Sequence, residues 1–194
     1  MACAGLVAGS ATSRQRTLSV VLSTEATSAV VVRVPLQPAL ARLRARWDWA
    51  ANVGVPAHIT IVFPFLPAHR LVPDVRRNLA ALAAGQRPFD VRFARVGRFP
   101  TVVYLAPDPS APFTRLTEAV VDRFPDYPPY GGVFEEVIPH LTITEANDAP
   151  FDDIASEAEA TLPFTHRVTQ LEVLVEGGEG RWHGRWRIPL GVRP

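Results

Sequence analysis

The sequence predicts an α+β fold with two pseudo-symmetric lobes, each with a mainly antiparallel sheet flanked by helices, and a central cleft between them. Three observations support this prediction. Segments with strand and helix patterns alternate along the chain, a histidine motif occurs once in each half, and the elements around the two motifs follow the same order. With 194 residues, of which 47% are hydrophobic, the chain is also long enough to bury a sizeable core.

The first half of the chain predicts the order strand, helix, strand, helix, strand. Its strands are apolar runs rich in valine, isoleucine and phenylalanine, whereas its helices have apolar residues three or four positions apart. Pro38 and Pro73 lie near the helix starts, where proline is tolerated, and Gly85 ends the second helix. The predicted elements are strands at 29–36, 56–65 and 89–99 and helices at 38–51 and 72–85.

The second half predicts a similar course, with strands at 101–107, 138–144, 164–177 and 181–191, helices at 111–124 and 151–162, and an aromatic, proline-rich loop at 125–137. Each histidine motif falls in the second strand of its half. We interpret residues 29–194 as a single bilobal domain that arose by internal duplication, with a first repeat at about 29–99 and a second at about 101–192.

The beginning of the chain and its cysteine content bear on its location. Residues 1–27 are mostly small and polar, so we interpret them as a flexible N-terminal extension; the alternative is an edge strand from Leu18 to Leu22. Cys3 is the only cysteine, which excludes a disulfide framework. No apolar run reaches the ~18 residues that a membrane span requires. We therefore expect a cytoplasmic monomer that does not enter membranes.

The charge balance limits the class of binding partner. The chain has 20 basic and 19 acidic residues and a net charge of +1, so it lacks the broad basic surface with which proteins bind long DNA. Every basic residue is arginine, which excludes Schiff-base and P-loop chemistry that depends on lysine. A small nucleotide or the end of an RNA is compatible with this charge.

The two histidine motifs put polar side chains on otherwise apolar strands. In a strand, residues two positions apart share a face, so His58 and Thr60 point together while Ile59 points to the opposite side. His140 and Thr142 repeat this pattern in the second half of the chain. Two such matches in corresponding places are hard to attribute to chance, and they predict a polar surface on a rigid sheet.

Two imidazoles and two hydroxyl groups in one cleft suit acid–base chemistry. Histidine has an ordinary pKa near ~6.5, so one ring can accept a proton while the other donates one at neutral pH. Threonine hydroxyls can donate hydrogen bonds to oxygens on which negative charge develops. The set predicts in-line displacement at a phosphodiester, with no metal or other cofactor.

The motifs, HITI at 58–61 and HLTI at 140–143, resemble those of the two-histidine (2H) phosphoesterase superfamily, and more narrowly its 2'-5' RNA ligase or RNA cyclic phosphodiesterase branch. The resemblance implies a bilobal fold and metal-independent catalysis by His58, Thr60, His140 and Thr142. It implies substrates with a 2',3'-cyclic phosphate or a 2'-5' linkage, in a nucleotide or at an RNA end. The near-symmetric motifs do not assign the base and the acid.

Three alternatives accompany this interpretation. The chain could capture nucleotides or RNA ends without turnover, or act as a 2'-5' RNA ligase, which is the reverse of the same chemistry. A histidine-ligated metalloenzyme ranks below both because no third ligand follows at metal-binding spacing.

Three further side chains are candidates for substrate binding. Tyr130 precedes two glycines in the loop before the second motif, so it could close over a ligand. Arg98 and Arg185 could each contact a phosphate from a strand.

Several aromatic residues are expected to serve the core instead. Strand alternation assigns Phe63 to the buried face of its strand. Phe99 and Tyr104 are expected to serve ordinary core packing, with stacking on a base of the ligand as the alternative. The same alternation predicts that Trp182 and Trp186 share one face of the last strand.

Overall fold

The computed structural model describes residues 26–134 and 136–192, and these form eight β-strands and five α-helices. Residues 1–25 of the predicted extension, with the alternative strand from Leu18 to Leu22, lie outside the described residues. The carbonyl oxygens of Ala26 and Thr27 accept hydrogen bonds from the N–H groups of Ala68 and Glu176. The strands are β1 (Ser28–Arg33), β2 (His58–Val62), β3 (Phe89–Phe99), β4 (Val102–Asp108), β5 (Leu141–Glu145), β6 (Phe164–Val168), β7 (Gln170–Glu176) and β8 (Trp182–Pro189). The helices are α1 (Pro38–Trp47), α2 (Trp49–Asn52), α3 (Pro73–Ala84), α4 (Ala111–Arg123) and α5 (Phe151–Glu159).

The strands form one antiparallel sheet in the order β6-β3-β4-β5-β2-β1-β7-β8. Only Thr169 separates β6 from β7 in the chain, although β6 forms one edge of the sheet and β7 lies next to the other. A flat sheet could not bring these two strands together, so the sheet curls into a half-barrel. The predicted α+β class is confirmed.

The sheet has two four-stranded halves, β6-β3-β4-β5 and β2-β1-β7-β8. They meet where β5 pairs with β2, through the single register pair Ile59 and Leu141. The two halves of the sheet are not the two halves of the chain. β3 follows β2 in sequence but pairs with β4 and β6, and β7 follows β6 but pairs with β1 and β8.

The longer helices cover one face of the sheet. α1 packs on β5 and α5 on β3 and β4, whereas α4 packs on β2 and α3 on β8. The main core lies between these helices and the sheet, and Ile59, Ile61, Leu141 and Ile143 in the two motif strands are fully buried in it. No helix among the described residues is long and apolar enough to cross a membrane.

Two predicted elements are each divided in the structure. The strand predicted at 164–177 is two strands, β6 and β7, which pair with different partners. The apolar pattern continues through Thr169 without a turn signal, so the sequence does not reveal the change of partner. The helix predicted at 38–51 is interrupted at Asp48, whose backbone is extended and whose side chain accepts a hydrogen bond from the Ala50 N–H to cap α2.

Both motif strands contain a β-bulge directly after the motif threonine. On β2, Thr60 pairs with Val31 but Val62 pairs with Val30, so Ile61 is the extra residue. On β5, Ile143 is extra in the same way.

The bulge on β2 changes which residues face the core. The expectation that Phe63 belongs to the main core is wrong because the extra residue shifts the alternation beyond Thr60. Phe63 instead packs in a second, smaller cluster with Val31, Leu174 and Trp182, on the other face of the sheet.

A bulge on β8 overturns the prediction that the two tryptophans share a face. Arg185 is the extra residue, because Trp186 pairs with Val173 whereas Gly184 pairs with Leu174. Trp186 therefore packs on the main core, and Trp182 packs on the second cluster. Strand alternation alone cannot locate such an insertion.

Candidate active site

The four motif residues lie together where the two halves of the sheet meet. Ile59 is directly opposite Leu141, and one step along the same antiparallel register brings Thr60 beside His140 and Thr142 beside His58. All four side chains are half-buried and alternate with fully buried neighbours. They therefore share the face of the sheet opposite the helices, which we call the site face.

The backbone orients both histidine rings in the same way. The Nδ1 atom of His58 lies 2.7 Å from the carbonyl oxygen of Pro56, and that of His140 lies 2.7 Å from the carbonyl oxygen of Ile138. Because a carbonyl can only accept, Nδ1 carries the hydrogen in both neutral rings. Each Nε2 atom is then left with a lone pair that can accept a proton.

A chain of hydroxyl groups reaches His58. Its Nε2 atom lies 3.1 Å from Oγ1 of Thr60, and because this nitrogen has no hydrogen, the threonine hydroxyl must donate. The Tyr130 hydroxyl also lies near Thr60: burial raises the pKa of this phenol, and a hydrogen bond with Thr60 opposes that rise. The structure thus brings Tyr130 to the site.

Tyr130 has an unusual backbone conformation. Its φ angle is 52°, in the left-handed region that a non-glycine residue seldom adopts, and its N–H donates to the carbonyl oxygen of Phe63 at 2.6 Å. This bond attaches the loop that carries Tyr130 to the end of the first motif strand. Such strain is typically retained where the surrounding structure holds a residue in a functional position.

Aromatic rings surround His140. Phe99 and Tyr104 stack on each other at 4.5 Å, and their ring centroids lie 5.3 and 5.4 Å from the imidazole of His140. The tyrosine ring lies over Gly97, where an added Cβ atom would come within 2.3 Å of it. The expectation that Phe99 and Tyr104 serve the core is therefore wrong, since both rings contact a motif histidine.

Burial favours the neutral form of both histidines. The pKa of His58 is lowered to about 4; burial is the main cause, the charges of Arg44 and His140 add to it, and the hydrogen bond to Pro56 opposes it. Burial also lowers the pKa of His140, although the hydrogen bond to Ile138 works the other way.

A buried ion pair supports the strand that carries His58. Nη2 of Arg44 lies 2.7 Å from Oδ2 of Asp48, and Nη1 donates at 2.9 Å to the carbonyl oxygen of Val55, next to Pro56. The backbone of Asp48 forms a bridge with Glu145 at the end of the second motif strand. The pair therefore connects the approach to β2 with the end of β5.

Arg44 and Asp48 were not among the predicted site residues. The available signal was their spacing of four residues, with Arg44 at a core-facing position of a helix. An arginine in that position needs a buried partner.

The structure does not bring the two predicted arginines to the motif residues. Arg98 pairs with Val103 on the helix-covered side of β3, forms an ion pair with Asp152 and lies over the ring of Phe151. Arg185 is exposed on the edge strand β8, with its guanidinium over Trp186.

A different arginine shares the site face. Arg33 is directly opposite His58 in the ladder between β1 and β2, and its side chain is exposed. It is the one charged residue of β1, which was the signal available in the sequence. Within the described part of the chain, no three His, Cys, Asp or Glu residues are grouped so that they could hold a metal ion.

Comparison with known proteins places this site in a family. A model described as the 2'-5' RNA ligase superfamily matches residues 32–180, which include both motifs. The chain is 26% identical over 145 residues to protein GK0864 of Geobacillus kaustophilus, which is provisionally named a phosphoesterase; the match covers 72% of this chain and 80% of that protein.

Solved structures show the same fold at low sequence identity. The protein TT0787 of Thermus thermophilus has a TM-score of 0.53 and 19% identity, covering 85% of this chain and 98% of its own. LigT of E. coli in its apo form has a TM-score of 0.50 and 16% identity, covering 86% and 99%. The extent of the family match, from before the first motif to well beyond the second, shows that the chain belongs to the 2'-5' RNA ligase superfamily of 2H phosphoesterases.

Proposed function

We propose that this protein is a metal-independent phosphoesterase that hydrolyses a 2',3'-cyclic or 2'-5' phosphodiester of a nucleotide or an RNA end. The observation that carries the proposal is the matched orientation of two imidazoles. Each is tied at Nδ1 to a backbone carbonyl two residues earlier, and both project from adjacent strands on the same face of the sheet. Membership of the superfamily supports the same reaction class.

The proposed reaction uses His58 and His140 as base and acid. The neutral ring accepts a proton from water at Nε2 while the water oxygen forms a bond to phosphorus. The bond from phosphorus to the departing ribose oxygen breaks, and the protonated ring donates its Nε2 hydrogen to that oxygen. Either histidine can take either role, because both have the same backbone contact.

The hydroxyl groups stabilise charge on the phosphate. In the free protein the Thr60 hydroxyl donates to His58, so a bound phosphate has to turn this hydrogen toward a non-bridging oxygen and thereby free Nε2. Thr142, which the register brings beside His58, donates in the same way in this proposal. The hydrogen bond between the side chains of Tyr130 and Thr60 helps to orient the threonine hydroxyl.

Ligation is the second candidate, and the name of the superfamily favours it. In that direction a ribose hydroxyl attacks a 2',3'-cyclic phosphate in place of water. The same two proton transfers serve it, so the outcome depends on whether a second RNA end is held near the site.

The decisive experiment incubates the purified protein with nucleoside 2',3'-cyclic phosphates and 2'-5' dinucleotides in the presence of EDTA. We expect hydrolysis that the chelator does not reduce. RNA ends with 2',3'-cyclic phosphate and 5'-hydroxyl groups are added in a parallel reaction, in which joined product would favour ligation. Binding of these ligands without any product would contradict both activities and support a capture module.

A further inference from the structure

The position of Arg33 extends the site face beyond His58. β1 lies on the side of β2 away from β5, so Arg33 and His140 flank His58 on opposite sides. Side chains directly opposite each other in an antiparallel pair have Cβ atoms about 4.5–5.5 Å apart. The flexible Arg33 side chain can therefore reach a group bound next to His58.

The charge of Arg33 is available to a ligand. Among the ion pairs formed within residues 26–134 and 136–192, none includes Arg33. The neighbouring acidic group on β7 is Glu172, which is buried and pairs across the ladder with Val31. Glu172 accepts a hydrogen bond from Gln170 at 2.9 Å and lies 3.6 Å from Nε of Arg187. Its charge is thus already compensated by other partners.

The corresponding position beside His140 has no charge. One residue beyond the pair Leu105 and Leu141, the register brings Ala106 next to His140. The next arginine on that side, Arg95, is opposite Ala106 on β3 and so lies one strand further away. The positive charge next to the histidine pair is therefore one-sided.

We propose that Arg33 binds a second phosphate of the substrate, on the β1 side of the phosphodiester that is cleaved. This inference rests on the proposed function and names its substrate class: nucleotides or RNA ends with a further phosphate next to the reacting one. A one-sided arginine fits the 3' end of an RNA, where further phosphates lie on one side only. Arginine suits this task because its planar guanidinium binds phosphate oxygens through two parallel hydrogen bonds.

Calorimetric titration with adenosine 3'-monophosphate and adenosine 3',5'-bisphosphate tests the assignment without requiring turnover. We expect the wild-type protein to bind the bisphosphate about tenfold more tightly, as a charge-assisted pair would give. Arg33→Ala should reduce this ratio to about one, and Arg33→Lys should keep part of it, since lysine retains the charge but not the planar fork.

Arg76→Ala is the matched control, because Arg76 is an exposed arginine on α3, on the helix-covered side of the sheet. It should leave the ratio unchanged. Equal affinity of the wild-type protein for the two ligands, or an undiminished ratio in Arg33→Ala, would overturn the assignment.

Kinetics separates this inference from the proposed function. Hydrolysis of cytidine 2',3'-cyclic phosphate is compared with that of a dinucleotide that ends in the same group, and the preference for the dinucleotide should disappear in Arg33→Ala. If the wild-type protein hydrolyses both equally well, the role of Arg33 is wrong and the phosphoesterase stands. If it hydrolyses neither, the phosphoesterase is wrong, and the calorimetric ratio still decides whether Arg33 binds the second phosphate.

Discussion

His58 and His140 occupy equivalent places on equivalent strands, but their surroundings differ. Both have the same Nδ1 bond to a carbonyl, and in both strands the extra residue of the bulge comes three positions after the histidine. His58 is then held by hydroxyl groups and a buried ion pair, whereas His140 is held by two aromatic rings. The motif thus determines how each ring is oriented, and residues outside the motif determine what surrounds the ring.

Replacing either histidine should have the largest effect, and comparing the two substitutions tests whether both rings are equally necessary. His58→Ala and His140→Ala should each lower kcat/KM for a 2',3'-cyclic nucleotide by about 10²–10⁴-fold, because each removes one proton transfer. The double variant should be little worse than either single variant, since the two groups act as a unit. His183→Ala, an exposed histidine on β8, is the control. Near-wild-type activity in either single variant would break the equivalence.

The side chains of the buried ion pair hydrogen-bond to the segment that leads into β2 and His58. Arg44→Met should lower the free energy of unfolding by about 3–5 kcal/mol, because it leaves Asp48 buried without its partner. Denaturant unfolding measures this loss. Arg77→Met, which breaks the exposed pair with Asp74, should cost less than about 1 kcal/mol.

The same variant distinguishes the two rings by NMR titration. The positive charge of Arg44 lowers the pKa of His58, so its removal should raise that pKa, while the pKa of His140 should not move. Equal shifts for both histidines would contradict this difference.

The pH profile tests both rings together. Catalysis needs one ring protonated and the other neutral, and the pKa of each ring is lowered from its ordinary value, that of His58 to about 4. The population with one proton is largest between the two pKa values, so kcat/KM should peak below pH 6.5. Above the higher pKa it should fall about tenfold per pH unit. A maximum above pH 7 in EDTA would contradict this prediction.

The aromatic support belongs to the His140 side alone. Gly97→Ala places a methyl group where the Tyr104 ring lies, so it should cost about 1–3 kcal/mol in the free energy of unfolding and lower kcat/KM. Gly184→Ala is the matched control, because that strand glycine has open space around it. Thermal unfolding and kinetics that do not differ between the two variants would show that Tyr104 is not constrained as described.

The smallest effect concerns the hydroxyl chain. Tyr130→Phe removes one hydrogen bond to Thr60, worth about 1 kcal/mol, so kcat/KM should fall about fivefold. Tyr127→Phe removes a hydroxyl group that accepts a hydrogen bond from Arg70 at an exposed position, and it should not change kcat/KM. An unchanged kcat/KM in Tyr130→Phe would place its hydroxyl outside the reaction.

The sequence predicts the strands and their faces correctly where successive side chains alternate regularly between the two faces of the sheet. It identified the motif strands and the shared face of His58 with Thr60, because both lie before the bulge on their strand. It failed for Phe63 and Trp182, each of which lies across a bulge from the residues used to assign its face. A bulge depends on pairing with a neighbouring strand, and a single segment does not specify that pairing.

Long-range pairing also explains the errors at the site. Tyr130, a candidate because of its loop, lies beside Thr60 in the structure. Arg33 is not predicted from the sequence because its proximity to His58 exists only in the pairing of β1 with β2. The choice of Arg98 failed for the same reason, since only the pairing with Val103 reveals its face. The division of 164–177 into β6 and β7 likewise appears only in the sheet order.

The crossed connectivity of the sheet has a consequence for how the molecule holds together. The last strand of the segment up to Phe99, β3, pairs with β4 of the later segment. In turn, β7 of the later segment pairs with β1 of the first. The two segments thus exchange strands, as the subunits of a strand-swapped dimer do. Cleavage between Phe99 and Val102 would therefore produce two fragments that each need the other to complete a sheet, and neither fragment should fold alone.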